Sequence, residues 1–218
     1  MNRDERHDRA AELPPQIIRA DHTVFGPLDP RSGGTWIAYN DKGFWGCLLN
    51  GYVEQEPLKR NAYESRGQIL PNILSQDNPL MAAQTIDSSH YQSFRLLVGS
   101  ANSHKLFMWD GKNYAETTFH ALHEDRVFFL SSSSWRQDEV IAIRKRLFEE
   151  WIKNNPNGGS EIPDFHCSQE PHAEAAPFMM RSYSGTKSIT AMEISNDNIA
   201  MSYWTRLDIE SNMKRQCA

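Results

Sequence analysis

Three stretches of the chain place β-branched and aromatic residues on both sides of a short Asn, Asp or Gly turn, and this pattern constrains the fold most. Such turns are the strongest short-range indication of a β-hairpin, because these residues adopt the backbone angles that tight turns require. The hairpins span residues 34–52, 94–119 and 189–204, and they turn at residues 40–43, at Asp110-Gly111 and at Asn196-Asp197. With RVFFL at residues 126–130 as a further strand, the pattern predicts antiparallel sheet.

Helical patterns lie between the hairpins, and the clearest covers residues 136–155. Its apolar stripe, which recurs at helical spacing, is formed by Val140, Ile143, Leu147 and Trp151. Shorter helices are predicted at residues 66–76 and 78–92, a capping box at Ser134 and Gln137, and a loop at residues 161–177. Hairpins with interspersed helices predict an α+β fold. Strands that are apolar on both faces indicate two sheets between helical layers.

The composition narrows the classes of partner. The 218 residues are 39% hydrophobic, which suits one folded domain over residues 1–218. A net charge of −5 argues against nucleic acid, since phosphate binding favours a basic excess. No apolar stretch is long enough to span a bilayer, and the charged first residues lack the apolar core of a secretory signal. We therefore predict a cytoplasmic protein with no nucleic-acid partner and no membrane span; its oligomeric state stays open.

Cysteine and histidine spacing indicates neither a disulfide framework nor a metal site. The three cysteines are scattered and form no C-x-x-C pair, and no C-x-x-C-H motif for haem attachment occurs. His166, Cys167 and His172 cluster in the predicted loop but lack the spacing of zinc ligands. Cys47 falls within an apolar strand and is predicted to be a buried, inert thiol. We expect no metal and no resident cofactor.

The polar stretch NRDE at residues 2–5 is the candidate site, with Arg6 and Arg9 following it. One interpretation is a solvated tail. The other is a polar site in which a guanidinium clamps one carboxylate while another acid orients a neighbour. The serine run SSSSW at residues 131–135 suits turns and a helix cap better than a nucleophile, since it lacks the Gly-x-Ser-x-Gly elbow.

The stretches NRDERHDRAAELPP, GPLDPRSGGTWIAYNDKGFWGCLLNGY and SRGQIL resemble, in order and in spacing, the NRDE family, whose eukaryotic members are called transport and Golgi organisation protein 2. FFLSSSSW and GTKSITAMEIS are weaker matches further along the chain. The resemblance implies the Ntn-hydrolase fold, a four-layer αββα sandwich. Chains of the family begin with Met-Cys on a strand that precedes the motif. Because this sequence starts later, we expect a domain that lacks its first strand and is inactive as an Ntn hydrolase in this form.

The resemblance also implies site residues. In the neighbouring choloylglycine-hydrolase group, a strand-end Arg and Asp support the nucleophile, and Asn2 and Glu5 look like their counterparts. Asn50 matches an oxyanion-hole Asn, whose amide donates to a developing oxyanion. A second Asn of that group follows a Leu-Thr pair where this chain has Ser131-Ser132, which weakens the case for hydrolysis. The predicted ligand-binding residues are Asn2, Arg3, Asp4, Glu5, Asn50 and Ser132, and no catalytic nucleophile is predicted.

Three interpretations of the function stay open. The family's link to haem trafficking and to lipid or acyl-CoA homeostasis implies non-enzymatic handling of a small molecule, with haem as cargo rather than cofactor. The runner-up is an N-terminal-cysteine amide hydrolase whose nucleophile strand is missing from this chain. The third is a gene model that starts too late and deletes central strands. Ligand handling is the function we expect.

Overall fold

The computed structural model describes residues 1–20, 23–53, 63–118, 121–122, 127–155, 164–195 and 198–216. The strands are β1 (Asn2–Arg6), β2 (Leu13–Arg19), β3 (Val24–Leu28), β4 (Ile37–Tyr39), β5 (Trp45–Asn50), β6 (Phe94–Gly99), β7 (His104–Trp109), β8 (Tyr114–Thr117), β9 (Ala121–Leu122), β10 (Val127–Phe128), β11 (Ser184–Ile194) and β12 (Ile199–Thr205). The helices are α1 (Ile69–Leu74), α2 (Pro79–Gln84), α3 (Gln137–Asn154), α4 (Asp164–Cys167) and α5 (Arg206–Gln216), with 3₁₀ turns at Arg66–Gln68 and Ser88–His90.

The chain forms two compact units. The terminal unit draws on residues 1–9, 121–192 and 201–218, and the central unit on residues 10–120 and 193–200. Both contain antiparallel strands together with helices, which confirms the α+β class. Within the described ranges, none of the helices has the length and apolarity that a membrane crossing needs.

The central unit is built on a seven-stranded sheet in which β2 to β8 lie in sequence order, each antiparallel to the next. The first predicted hairpin is confirmed by β4 and β5, whose turn contains Gly43 at a φ of +79°. The second is confirmed by β6, β7 and β8, and Gly111 in its turn has a φ of +90°. Glycine suits both positions because it carries no Cβ to oppose a positive φ.

One face of this sheet packs on α1 and α2. Alternate residues of β6 point into that core, and Phe94, Leu96 and Val98 are fully buried there. Pro71 lies in the first turn of α1, where the missing N–H is not needed for a helical bond. The buried indole of Trp109 is satisfied by a 2.9 Å hydrogen bond from its Nε1 to the Tyr91 carbonyl.

The terminal unit contains a three-stranded sheet in the order β1-β11-β12 and a short pair formed by β9 and β10. Its apolar core includes Phe178, Ile189 and Ile209, so β11 packs against α5. The predicted strand at residues 126–130 is realised at Val127–Phe128. The strands of the third predicted hairpin are present as β11 and β12, and its turn at residues 196–197 lies outside the described residues.

Helix α3 confirms the long predicted helix but differs from the prediction at its start and on its buried face. The residue that precedes it is Arg136, at a φ of +43°, and it makes no side-chain cap bond, so the capping box at Ser134 was wrong. The buried positions are Val140, Arg144 and Ile152, which puts an arginine among the apolar residues. The predicted loop at residues 161–177 contains the short helix α4, and its first three residues lie outside the described ranges.

Candidate functional site

Strand β1 carries the NRDE residues and pairs with β11 across a bulge. Arg3 lies opposite Ser188 and Asp4 lies opposite Thr186, so Lys187 is the extra residue of β11. Side chains alternate along β1, which places Asn2 and Asp4 on one face and Arg3 and Glu5 on the other. The bulge lets Thr186 share a face with Asp4 while Ser188 shares the opposite face with Arg3. The motif therefore presents two separate sets of polar groups.

The first set is fixed by Asp4. Its Oδ1 accepts a 2.6 Å hydrogen bond from Thr186 Oγ1, and its Oδ2 lies 3.3 Å from Arg144 Nη2. Thr186 is fully buried and Arg144 is 7% exposed. Both carboxylate oxygens are thus engaged by a neighbouring strand and by α3.

Arg144 connects this carboxylate to two further segments. Its Nε donates to the Ala175 carbonyl at 3.0 Å and its Nη2 to the Ala176 carbonyl at 2.9 Å. Its Nη1 lies 3.4 Å from Ser131 Oγ and 3.5 Å from the Ser132 carbonyl. Ser132 therefore meets the NRDE strand through Arg144, and it contributes a backbone oxygen rather than its hydroxyl to this contact.

The serine run before α3 accepts bonds from a second buried arginine as well. Arg181 Nη2 donates to Ser133 Oγ at 3.1 Å, and its guanidinium carbon lies 5.0 Å from the centre of the Trp135 ring. Its Nε donates to the Glu174 carbonyl at 2.9 Å. These serines hold arginine side chains in place, a role that the sequence pattern did not predict.

Asn2 ties the start of β1 to α4. Its Nδ2 donates to the His166 carbonyl at 2.9 Å and to the Pro177 carbonyl at 2.7 Å. Since the amide nitrogen is the donor, Asn2 Oδ1 is the acceptor, and His166 Nδ1 donates to it at 2.5 Å. Burial holds the pKa of His166 well below its usual range, so the imidazole is neutral and carries its proton on Nδ1. We call Asn2, Asp4, Arg144, His166 and Thr186 the β1 network.

The second set of NRDE groups lies on the other face of β1. Arg3 is 7% exposed, and its Nη2 lies 3.5 Å from Glu5 Oε2. Glu5 also faces Arg9 Nε at 3.7 Å and accepts a 2.9 Å bond from the Arg6 amide. On β11, Ser188 and Thr190 are fully buried, and their hydroxyls have no hydrogen-bond partner in the described part of the chain.

Asn50 belongs to the central unit, whereas the other five predicted site residues belong to the terminal unit. It is exposed at the end of β5, and its Nδ2 lies 3.4 Å from the Tyr52 hydroxyl. In the same strand, burial raises the pKa of the Cys47 thiol to about 11, so it stays protonated at neutral pH. Among the described residues, no three His, Cys, Asp or Glu side chains are grouped to hold a metal ion.

The glycines of SGGTW and SRGQ meet in the central unit. The Thr35 amide donates to the Gly67 carbonyl at 2.9 Å. A Cβ on Gly34 would lie 2.3 Å from the Gly67 carbonyl carbon, so the two backbones touch where a side chain has no room. Gln68 Nε2 also donates to the Ser32 carbonyl. These two stretches of the motif therefore pack against one another and stabilise the entry to β4.

Sequence reasoning missed Arg144, His166 and Thr186 as partners of the motif, although part of the pattern around them indicates burial. Arg144 follows Val140 by four residues and interrupts an apolar stripe, which is the pattern expected of an arginine that is buried and bonded. In GTKSITAM, hydroxyl residues recur at every second position, a pattern that indicates a polar row on one face, but the bulge at Lys187 turns Thr186 to the face opposite Ser188.

The chain matches the family model of Transport and Golgi organisation 2 over residues 1–207. The chain belongs to this family. The matched range includes all of the β1 network and the six predicted site residues, so the NRDE resemblance is confirmed and extends far beyond the first third of the chain. A search of curated proteins found no match.

Proposed function

We propose that this member of the Transport and Golgi organisation 2 family binds a small molecule and does not convert it, with haem or a lipid-related molecule such as an acyl-CoA as the cargo. The observation that carries the proposal is that Asn2 and Asp4 are committed to structural bonds. Both oxygens of Asp4 and both polar atoms of the Asn2 amide have protein partners. Groups bound in this way hold the strand in place rather than act on a substrate.

The protonation of one group in each unit also favours binding over catalysis. A nucleophilic cysteine needs a lowered thiol pKa or an adjacent base, and burial gives Cys47 the opposite shift. His166 uses Nδ1 to bond Asn2, and its lowered pKa makes it a poor base. We assign Asn2, Asp4 and Ser132 to the support of β1 and keep Arg3, Glu5 and Asn50 as the candidate ligand-binding residues.

We further propose that the fold is the four-layer αββα sandwich of Ntn hydrolases, formed as one cytoplasmic domain over residues 1–218. Two features support this. The seven-stranded sheet packs one of its faces on α1 and α2. In the three-stranded sheet, Asn2 and Asp4 lie on the same face of β1, and they bond to α4 and to α3. A sheet with helices on a single face is what each half of such a sandwich requires.

The test is a titration of the purified chain with haemin, followed by the Soret band, and with palmitoyl-CoA, followed by calorimetry. We expect saturable binding of one of the two, and no release of amine from N-acyl amino acids. A Cys47→Ser variant controls for ligation of iron by that thiol. Turnover of an N-acyl amino acid, which is the amide-hydrolase alternative, or the lack of saturable binding of both ligands would overturn the proposal.

A further inference from the structure

Arg181 is a buried cation without a counter-ion. It is 6% exposed, and no carboxylate in the described part of the chain pairs with it. Arg144, by contrast, lies against the carboxylate of Asp4. Arginine is rarely buried unless it is paired, because an uncompensated charge has lost its hydration. A guanidinium in this state gains free energy from an anion that can reach it.

Protein groups occupy one edge of this guanidinium and one of its faces. Nε donates to the Glu174 carbonyl at 2.9 Å, and Nη2 donates to Ser133 Oγ at 3.1 Å. The guanidinium carbon lies 5.0 Å from the centre of the Trp135 ring, which is within the range of a cation–π contact. Since a guanidinium has five N–H donors, Nη1 and one N–H of Nη2 are left without an acceptor among the described residues. The side chain is held in one orientation while its end stays unbonded.

The unbonded end of Arg181 is open to solvent. Arg181 is not among the described residues whose side-chain nitrogen or oxygen atoms are both unbonded and sealed from solvent, which are Glu12, Trp36, Trp45, Ser93, Ser188 and Thr190. Nη1 therefore lies at the small exposed part of the residue, and Ser134 beside it in the serine run is exposed as well. A small anion reaches Nη1 from the surface and needs no internal cavity.

The charges around Trp135 favour a carboxylate as this anion. Arg136 also lies over the ring, 5.3 Å from its centre, but it is already paired with Glu139. One positive charge, that of Arg181, is thus left to be balanced. A carboxylate carries one negative charge, and its two coplanar oxygens match two parallel N–H groups of a guanidinium. A phosphate dianion brings a second charge, which Arg136 does not balance because Glu139 neutralises it.

We propose that the free end of Arg181 binds the carboxylate of a small molecule. Nη1 and Nη2 each donate to one carboxylate oxygen, while Ser133 and Trp135 hold the plane of the guanidinium. Arg3, Glu5 and Asn50 take no part in this site. The inference therefore goes beyond the proposed handling of haem or an acyl-CoA and does not depend on it.

Acetate and acetamide test the assignment, because they share one shape and differ in charge. The Nε–H signal of Arg181 in the spectrum of the isotope-labelled wild-type chain reports binding, at constant ionic strength and at about pH 8, where a phosphate monoester is a dianion. Acetate should shift this signal saturably and bind at least tenfold tighter than acetamide, since hydrogen bonds to a charged group contribute at least that factor. Methyl phosphate should bind more weakly than acetate.

Three outcomes of these titrations would overturn the proposal. If acetate gives no saturable shift, or binds no tighter than acetamide, water solvates the free end of Arg181. If methyl phosphate binds tighter than acetate, the site does not select a carboxylate. If every exposed arginine responds at the same acetate concentration, the observed binding is that of an adventitious ion only.

Variants identify the residue, and the indole N–H signal of Trp135 reports binding in them. Arg181→Gln should weaken acetate binding at least tenfold. Arg136→Gln is the matched control, because Arg136 contacts the same ring, its side chain is 57% exposed and Glu139 already pairs with it. This control should bind acetate as the wild type does, and a loss there or none in Arg181→Gln would contradict the assignment. If Arg181→Gln does not fold, the Arg181 signal of the wild-type chain still decides.

Discussion

At the scale of single residues, Arg144 shows how one buried cation holds several segments together. Replacing it with Met keeps an apolar stem of similar length and removes the guanidinium bonds to Asp4, Ala175 and Ala176, while Thr186 still donates to Asp4. Breaking a buried ion pair costs about 3–5 kcal/mol. Because the Asp4 side chain is 26% exposed, we expect Arg144→Met to lower the free energy of unfolding by about 2–4 kcal/mol.

Urea unfolding of the two proteins measures this loss. Arg146→Met is the control, since Arg146 is exposed on the same helix and its substitution should change stability by less than about 0.5 kcal/mol. Equal losses in the two variants would show that the bonds of Arg144 contribute nothing beyond helix propensity.

His166 makes the stability of the protein depend on pH. The folded protein holds it neutral because burial lowers its pKa, while the unfolded chain binds a proton near the ordinary value of 6.5. The unfolded state thus binds more protons below pH 6.5, and stability is lost as the pH falls from 6.5 towards the lower pKa of the folded state. The contribution reaches at most about 1.4 kcal/mol per pH unit for one proton.

We expect the free energy of unfolding to fall between pH 7 and pH 5, and to fall less steeply in His166→Asn, which does not titrate. His172→Asn serves as the comparison, because it makes the same substitution at an exposed histidine outside the β1 network. A slope that is unchanged by His166→Asn would mean that His166 is protonated alike in both states.

The site could be predicted from the sequence only in part. NRDE is visible because four polar residues in a row precede an otherwise globular chain. Its partners are not visible, because Arg144, His166 and Thr186 come from distant segments, and even the pattern that indicates burial of Arg144 does not identify what it bonds to. The bulge at Lys187 decides which side chains share a face, and a strand's sequence does not reveal where its pairing shifts.

At the scale of elements, the contact between Gly34 and Gly67 joins the loop before β4 to the start of α1. A Cβ on Gly34 would lie 2.3 to 2.8 Å from three backbone atoms of Gly67, and backbone cannot move aside as a side chain can. We expect Gly34→Ala to destabilise the protein by about 2–3 kcal/mol, as overpacking does.

Gly67→Ala is a matched control from the same contact. A Cβ there meets its nearest atom, Gly34 Cα, at 3.4 Å, which is ordinary van der Waals distance. Thermal unfolding should therefore show a large decrease in Tm for Gly34→Ala and a small change for Gly67→Ala. The reverse order would contradict the assignment of the clash to Gly34.

The hairpins and α3 could be predicted because each depends on residues that are close together in the sequence. These are the turn residues and strand-forming residues of the hairpins, and the apolar stripe of the helix. Strand β2 was missed because Pro14 and Pro15 argue against a strand. It lies at the edge of its sheet, where an amide can point away from the neighbouring strand and its loss costs no ladder bond. The positive φ of Arg136 could not be predicted from the sequence either, because arginine disfavours this backbone conformation and only surrounding contacts hold it there.

At the scale of the whole molecule, the two sheets differ in how far apart along the chain their paired strands lie. Every neighbouring pair from β2 to β8 is consecutive in sequence, whereas β1 pairs with β11. The Thr190 amide, which bonds to the Met1 carbonyl, is 189 residues away from it. A loop of this length is about five doublings longer than the loop of a short hairpin. Closing it therefore costs about 3 kcal/mol more free energy, because the chain loses more conformational entropy.

We therefore expect the sheet of the central unit to form before β1 pairs with β11. Pulsed hydrogen exchange during refolding tests this order, with amides of β5, β6 and β7 as one set of probes and the Thr190 amide as the other. The first set should gain protection several-fold earlier. Protection of Thr190 at the same time as β5 and β6 would contradict the prediction, because it would mean that the distant pairing is made before the local hairpins can stabilise the chain.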